Sequence, residues 1–254
     1  DAWLMALERW GTRSFGEVAE AAIRFARDGF PMNHLLRGTV ANHIDEYRAF
    51  PANADIFLKD DKPYELGEIF RQTDTAASLQ YMVDEERRAR ANGGRIAGLR
   101  AARDAFYKGD IARTITDYHA SHGGWLTMED MADYTSEIEV PQTVRFGDVD
   151  VYSCGPWCQG PALLQTLNLV ESANLQGMGH NSPAYIHTLT EAIKLVMADR
   201  DCYYADPRFV DVPMERLLDK QYAASRAAMI DAEKAWLEMP PPGAWRDMGL
   251  AHEP

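Results

Sequence analysis

Residues 182–200 read SPAYIHTLTEAIKLVMADR and carry the most regular helical pattern in the chain. Ser182 is a typical N-cap residue, and Pro183 suits the first helical position because the amide there has no partner within the helix. Apolar side chains recur at intervals of three and four and predict one buried stripe, formed by Ile186, Leu189, Ile193 and Val196. This stretch therefore predicts a core helix of a folded domain.

The segment before this helix predicts a β-hairpin that leads into another helix. Residues 137–153 read EIEVPQTVRFGDVDVYS, alternate between apolar and polar, and turn at Gly147 and Asp148. Residues 153–168 then read SCGPWCQGPALLQTLN, a glycine-containing turn followed by a helical pattern that begins near Pro161. The change of period from two to about 3.6 predicts a strand-turn-helix unit.

The rest of the chain predicts helices with short interruptions. Residues 1–50 have helical spacing broken by glycines, and residues 59–63 predict a loop. The glycines predict breaks at Gly11, Gly16 and Gly29, another break near Gly109, and a stop at Gly123 and Gly124. One helix is predicted from an Asp74 N-cap to a stop at Gly93 and Gly94, and another over 214–239, ending before Pro240. Thr127 and Asp130 predict a capping box. No repeat or linker is visible, and a chain of 254 residues could fold as one large domain or two small ones.

The composition is that of a globular protein with an acidic surface. Hydrophobic residues make up 46% and charged residues 26%, enough apolar content to form a core. The sequence contains 26 basic and 39 acidic residues, which gives a net charge of -13. Phosphate binding needs a concentrated positive face, so nucleic acid and anionic membrane are excluded as main partners. No run of about 18 apolar residues predicts a membrane span, and a small-molecule substrate is expected.

Cys158 is the first candidate for chemistry. It lies in a glycine-containing turn between a strand and a helix, the layout of a nucleophile elbow, where a helix N-terminus lowers the pKa of a thiol. However, the spacing of the elbow motif is not met, and no partner base is fixed by the sequence. Three cysteines, Cys154, Cys158 and Cys202, give no complete disulfide framework and read as buried or half-buried thiols.

Two histidine pairs have metal-ligand spacing. His119 and His122 lie three apart, and His187 and Glu191 lie four apart on one predicted helical face, a separation that can chelate zinc. Neither pair has the glutamate that follows the first histidine of a zincin helix. The competing interpretation is a capped or solvent-facing histidine near a helix stop, and a helical ion pair between His187 and Glu191 or between Glu191 and Lys194. No metal site is predicted.

An acidic cluster lies near the end of the helix predicted at residues 182–200. Asp199, Arg200, Asp201 and Asp206 lie close together in the sequence MADRDCYYADP. The ordinary use of such residues is an arginine-carboxylate link between a helix and the loop after it. An anion site is the alternative, but the acids outnumber the single arginine.

Six runs together resemble the large subunit of the gamma-glutamyltranspeptidase family, which belongs to the N-terminal nucleophile (Ntn) hydrolases. They occur in the order found in the family and cover most of residues 1–231. The runs are WLMALERWGTRSFGEVAEAAIRFARDGFP, AFYKGDIARTI, GGWLTMEDMADY, LLQTLNLVE, SPAYIHTLTEAIKLVMADR and DPRFVDVP. One such run would carry little weight, whereas six in order are specific.

The resemblance implies an α/β fold with the αββα architecture of an Ntn hydrolase, mainly helical in this chain with a few strands, and completed by a small subunit cut from the same precursor. The new N-terminal threonine of that subunit would be the nucleophile, with its own amine as base. The chain begins inside a helical pattern without Met and ends in GLAHEP without a Thr-Thr junction. We therefore expect residues 1–254 to be the large-subunit portion of one domain within a longer polypeptide, acting on a small-molecule amide, with the reactive threonine on the partner chain.

The resemblance carries no catalytic residue onto this chain. The arginine that holds the substrate carboxylate in the family lies in a glycine-rich segment upstream of the matched region. Metal ions and organic cofactors are not implied, and an (αβ)2 assembly is left open. The odd cysteine count favours the cytoplasm, whereas many relatives are exported to the periplasm or the medium, so the compartment stays undecided.

Two departures from the family pattern concern a turn and a helix. The family commonly has Pro-Pro-Ser-Ser-Gly-Gly where this chain has GPWCQG, so Cys158 replaces a turn serine and Gln159 a glycine. Relatives with a similar turn include amide hydrolases that are not restricted to gamma-glutamyl substrates, which leaves glutathione open as a substrate. Residues 81–104 are longer than the corresponding stretch in many members and are interpreted as a surface helical excursion.

Two rival functions are kept. One is a cysteine hydrolase that uses Cys158 with His119, His180 or His187 as its base. The other is a catalytically inactive paralogue that serves as a scaffold subunit. The first predicts that Cys158→Ala abolishes turnover, and the second predicts a partner chain whose first residue is not Thr, Ser or Cys.

Overall fold

The computed structural model describes residues 1–244, which form two compact units, Asp1–Glu137 and a second unit that starts at Ile138. The terminal sequence GLAHEP lies outside the described residues. The helices are α1 (Ala2–Trp10), α2 (Phe15–Asp28), α3 (His34–Asn42), α4 (Ile44–Ala49), α5 (Pro51–Phe57), α6 (Thr73–Tyr107), α7 (Asp110–Ser121), α8 (Met128–Asp133), α9 (Gly160–Val170), α10 (Leu175–Met178), α11 (Pro183–Tyr203), α12 (Met214–Leu217) and α13 (Lys220–Ala227). The strands are β1 (Phe30–Pro31), β2 (Leu58–Lys59), β3 (Lys62–Pro63), β4 (Ile69–Phe70), β5 (Gln142–Phe146) and β6 (Val149–Ser153).

Strands form three antiparallel pairs within residues 1–244, namely β1 with β4, β2 with β3 and β5 with β6. The prediction of a mainly helical chain with few strands is confirmed. None of the helices in this described part has both the length and the apolar character needed to cross a bilayer.

The first unit has its core where α2 packs along α6. The hydrophobic cluster joins residues of α1, α2 and α6, and α6 contributes residues from both its N-terminal and its C-terminal half. Its buried members are Leu4, Phe15, Ala19, Ile23, Met82, Val83, Leu99, Ala102 and Ala105. The interpretation of residues 81–104 as a surface excursion was therefore wrong, because Val83, Leu99 and Ala102 in that stretch are almost completely buried.

The N-terminus of α2 shows why Gly16 does not break a helix. Ser14 caps α2, and the buried carboxylate of Glu86 on α6 accepts hydrogen bonds from the amides of Phe15 (2.7 Å) and Gly16 (2.8 Å). A carboxylate at this end satisfies two free amides and complements the helix dipole. The predicted break at Gly16 is wrong, whereas those at Gly11 and Gly29 are confirmed.

Residues Thr73–Tyr107 of α6 comprise two helical segments that meet across a kink at the predicted glycine pair. Gly94 has φ 75° and ψ −172°, a non-helical conformation that favours glycine over residues with a side chain. The predicted stop at Gly93 and Gly94 is therefore confirmed for the first segment, and the second segment follows directly. The predicted N-cap Asp74 lies inside the first turn, because the helix already begins at Thr73 after Gln72.

Local signals elsewhere were predicted correctly. Thr127 and Asp130 form the capping box of α8, and Gly109 caps α7. The turn at Gly147 and Asp148 joins β5 to β6 in register from Phe146 opposite Val149. The loop at residues 59–63 is a tight hairpin turn between β2 and β3.

In the second unit, α11 begins as predicted and buries half of the predicted stripe. Ser182 caps it and Pro183 occupies its first position. Val196 of the stripe is buried and Leu189 packs against the core, whereas Ile186 and Ile193 are exposed. The other buried residues of the helix are Glu191, Ala192, Leu195, Ala198 and Asp199. The core forms where α11 and α13 pack on α9. Polar side chains such as Asp199 and Gln165 are buried beside it because they hydrogen-bond to each other.

The predicted helix over 214–239 was also wrong in its length. Two short helices, α12 and α13, occupy its first part, and helical structure ends at Ala227. The segment beyond runs back along α11, where the amide of Trp236 donates to the carboxylate of Glu191 at 3.0 Å. Tertiary hydrogen bonds therefore replace helical ones over this stretch.

Candidate site at the Cys154–Gly160 turn

The turn between β6 and α9 brings the two cysteines of SCGPWCQG together. The amide of Cys158 donates to the carbonyl of Gly155 at 3.3 Å and closes the turn. At Gly160, a Cβ atom would lie 1.8 Å from Ser153 Oγ and 3.0 Å from Cys154 Sγ, so a side chain there would require the Ser153 side chain to move. The turn is therefore packed tightly against the end of its own strand.

The sulfur atoms of Cys154 and Cys158 lie 2.6 Å apart, and both residues are half-buried free thiols. The amide of Gly160 points at Cys158 Sγ from 3.3 Å. Burial and the hydrogen bond with Cys154 raise the pKa of Cys158, and the Gly160 amide does not offset them. The expectation that the helix N-terminus lowers the pKa of this thiol is thus wrong, because desolvation outweighs it.

Two side chains outside the turn hold it from either side. The carboxylate of Glu139 accepts from the amide of Gly155 at 2.9 Å and from Nε1 of Trp157 at 3.0 Å. On the other side, Nη1 of Arg200 donates to Oε1 of Gln159 at 3.1 Å. Sequence reasoning missed both contacts, since no short-range pattern connects Glu139 or Arg200 to this turn.

A buried polar network lies on the helix that follows the turn. Nε2 of Gln165 on α9 donates to Asp199 at 2.6 Å, and the Tyr204 hydroxyl donates to Oε1 of Gln165 at 3.0 Å. Burial raises the pKa of Tyr204, so this phenol keeps its proton and acts as a donor. The network joins α9 to the C-terminal half of α11.

The acidic cluster at the end of α11 does not form the link that the sequence predicts. Asp199 is buried and pairs with Arg226 of α13 at 3.1 Å rather than with Arg200. Arg200 pairs with its neighbour Asp201 at 2.7 Å, and Asp206 pairs with Arg208 at 2.8 Å. The charged residues of the cluster thus pair with separate partners. Arg200 is paired with Asp201 and does not form the alternative anion site.

The histidines are also not brought together with the thiols. The ring of His187 contacts the carbonyl of Asp231 at 2.7 Å, while Glu191 pairs with Lys194 at 2.7 Å, as the ion-pair interpretation predicted. His122 stacks on Tyr118 with ring centroids 4.0 Å apart. Across residues 1–244, no group of three or more His, Cys, Asp or Glu side chains is arranged to hold a metal ion.

Cys158 has no histidine partner in the described part of the chain. The hydrogen-bond partners of its sulfur are Cys154 Sγ and the Gly160 amide. His180 instead contacts the Tyr185 ring edge-on at 5.9 Å and lines a cavity of about 550 Å³. The other residues lining that cavity are Phe146, Val170, Glu171, Ala173, Asn174, Leu175, Gln176 and Tyr185. The arrangement gives the thiol no general base, which catalysis by a cysteine nucleophile requires.

Comparison with known proteins agrees with the sequence runs. Residues 1–248 match the family model described as Gamma-glutamyltranspeptidase. The Glutathione hydrolase-like YwrD proenzyme of Bacillus subtilis is 33% identical over 230 residues, which are 91% of this chain and 41% of that protein. The Acylase ACY 1 proenzyme of Pseudomonas sp. strain SE83 is 33% identical over 234 residues, 92% of this chain and 39% of that protein. The chain therefore spans about two fifths of the length of these curated relatives.

Solved structures are similar over nearly the whole chain. The gamma-glutamyltranspeptidase of Helicobacter pylori has a TM-score of 0.83 and 25% identity, covering 99% of this chain and 67% of that one. The cephalosporin acylase of Bacillus halodurans has a TM-score of 0.81 and 25% identity, covering 96% of this chain and 42% of that one. Both similarities indicate that the chain shares the fold of those proteins.

Proposed function

Because this chain belongs to the gamma-glutamyltranspeptidase family, we propose that it works as the large subunit of a self-processed amide hydrolase and acyltransferase whose nucleophile is the N-terminal threonine of a small subunit. The expected Ntn-hydrolase fold is confirmed by the similar structures, with this chain contributing mainly helices. We further propose that residues 1–254 are the large-subunit portion of a single domain.

The observation that carries the proposal is the match over residues 1–248 to a family whose curated relatives are proenzymes more than twice as long as the matched region. The geometry of the turn supports it, because Cys158 has a raised pKa and no base among the described residues. In the proposed mechanism, the chemistry is carried out by a second polypeptide. There, the threonine hydroxyl would attack the amide carbonyl, its own amine would take the proton, and backbone amides would stabilise the oxyanion.

The substrate is proposed as a small-molecule amide, hydrolysed or transferred to an amine acceptor. The similar proteins carry the names of a glutathione hydrolase and of acylases, so gamma-glutamyl amides and other acyl amides form the panel to test. Parallel assays with a gamma-glutamyl anilide and a glutaryl anilide, each with and without a dipeptide acceptor, separate the two substrate types and measure transfer against hydrolysis.

The decisive experiment identifies the partner chain. The protein is produced from its complete coding sequence, and every chain that co-purifies is characterised by intact mass and N-terminal sequencing. We expect a second chain that begins with Thr, and we expect replacement of that Thr by Ala to leave an uncut precursor without amidase activity. A partner that begins with a residue other than Thr, Ser or Cys would support the inactive scaffold instead. Light scattering on the same sample distinguishes αβ from (αβ)2.

A further inference from the structure

The thiol pair in the turn has no role in the proposed acyl transfer, although it brings two reactive side chains within 2.6 Å of each other. We propose that Cys154 and Cys158 are a covalent modification site, at which a low-molecular-weight disulfide converts the two thiols into a reversible intrachain disulfide. The proposal does not depend on the identity of the amide substrate or of the partner chain.

The geometry of the pair favours bond formation between the two cysteines over a lasting adduct on either one. The sulfurs are 2.6 Å apart, about half an ångström longer than the roughly 2.05 Å of a disulfide bond. Both residues are half-buried rather than enclosed, so a small reagent can reach them. The second sulfur is already in place to attack any adduct on the first.

The surroundings hold the turn in this arrangement before any bond forms. The carboxylate of Glu139 accepts a hydrogen bond from the Gly155 amide, and the Cys158 amide donates to the Gly155 carbonyl. Arg200 holds Gln159, the residue after Cys158. Closing the disulfide therefore requires little movement of the backbone, which limits the strain that weakens many cysteine cross-links.

One further contact supports the exchange chemistry itself. The Gly160 amide donates towards Cys158 Sγ at 3.3 Å and would stabilise negative charge on that sulfur as it attacks or leaves. The raised pKa of Cys158 means that the exchange is slow at neutral pH and speeds up as the pH rises, since the thiolate is the attacking species.

The reaction balances as two successive thiol-disulfide exchanges. One protein thiolate attacks a sulfur of the small disulfide RSSR, forms a mixed disulfide and releases RS⁻. The second protein thiolate attacks the protein sulfur of that mixed disulfide, forms the Cys154–Cys158 bond and releases a second RS⁻. The protein loses two electrons and two protons, and RSSR is reduced to two RSH. An excess of a dithiol reverses both steps.

The test uses the protein produced from its complete coding sequence and treated without denaturant with 2-hydroxyethyl disulfide, which carries no gamma-glutamyl group that the proposed enzyme could consume. Free thiols are then alkylated, and peptides are mapped by mass. We expect the peptide with Cys154 and Cys158 to lose the mass of two hydrogen atoms and to resist alkylation. The exposed Cys202 should carry a mixed disulfide in the same sample and so reports that the reagent worked.

Matched variants make the result decisive. Cys158→Ser should leave a stable mixed disulfide on Cys154, and Cys154→Ser should leave one on Cys158, because neither adduct has a second thiol to resolve it. Cys202→Ser should still form the cross-link. Stable adducts on both turn cysteines of the unmodified sequence would overturn the proposal, and so would a cross-link that forms only after unfolding in urea. Either result leaves the proposed amidase function intact.

Discussion

The carboxylate of Asp199 and the guanidinium of Arg226 form an ion pair of 3.1 Å in which only 1% and 3% of the two side chains are exposed. The same carboxylate also accepts from the hydroxyl of Tyr222 at 2.7 Å and from the amide of Gly243 at 2.8 Å. One buried charge thus links α11 to α13 and to the segment that follows it. Burial and the contact with Asp199 raise the pKa of Tyr222, which keeps this donor protonated.

Replacing Asp199 by Asn should destabilise the protein by about 3–5 kcal/mol, because Arg226 would remain buried without a counter-charge. Urea unfolding measures the change in free energy. The control is Asp150→Asn, which removes an exposed pair with Arg145 and should cost about 0–1 kcal/mol. Equal losses in the two variants would contradict the importance of burial.

Glu86→Gln should destabilise the first unit by about 1–3 kcal/mol. The glutamine side chain has one oxygen that can accept a hydrogen bond, so its NH2 group would be directed at one of the two backbone N–H donors of α2. The carboxylate of Glu86 now accepts from Phe15 and Gly16 at the start of α2. Glu85→Gln is the matched control, since the neighbouring Glu85 is half-buried and pairs with the exposed side chain of Arg88. Hydrogen exchange of the α2 amides localises the effect, and unchanged exchange there would refute it.

The capping box of α2 predicts a pH dependence of stability. Hydrogen bonds from the Ser14 amide, from Arg13 and from the Ser14 hydroxyl lower the pKa of Glu17 from 4.5 to about 2. A carboxyl group whose pKa is lowered in the folded state stabilises the protein at pH values above the pKa that the group has in the unfolded state. This contribution is lost as the pH falls through the pKa of the folded state. The difference in urea midpoint between the natural sequence and Glu17→Gln should therefore be full above pH 4.5 and shrink towards pH 2. A difference that stays constant through this range would contradict the assignment.

Gly160→Ala should destabilise the second unit by about 1–3 kcal/mol, the usual cost of overpacking. The new methyl group would overlap Ser153 Oγ. Gly38→Ala is the control, because no atom lies within 4 Å of a Cβ at that helical position, and it should stabilise by up to about 1 kcal/mol. Thermal unfolding of the two variants in parallel gives the comparison, and a neutral Gly160→Ala would show that the turn can relax.

Cys158→Ala should keep amidase turnover within about tenfold of the unmodified protein, whereas loss of a true nucleophile costs on the order of 10⁶-fold. The reason is that no histidine contacts the sulfur in the described structure. Turnover is measured on the processed protein, with its subunit composition checked on the same sample. Near-complete loss with intact assembly would favour the cysteine hydrolase.

Much of the secondary structure could be predicted because its signals act within a few residues. The caps at Ser14 and Thr127 and the turn at Gly147 involve bonds between neighbours in the chain. The helix pattern of residues 182–200 was confirmed for the same reason, although only Leu189 and Val196 of the predicted stripe pack into the core. Periodicity marks apolar residues but cannot say that Asp199 will meet Arg226, a partner that lies 27 positions away.

The amino-acid sequence alone therefore determined the family and the order of most helices, since six local runs and their caps are readable without knowing what they touch. Tertiary structure alone decided that Glu86 binds the start of α2 across 70 residues, that Asp199 pairs with Arg226, and that Glu139 and Arg200 hold the cysteine turn. The physical reason is that a buried charge or thiol takes its partner from whichever chain segment packs against it, and that packing is a property of the whole core rather than of any short stretch.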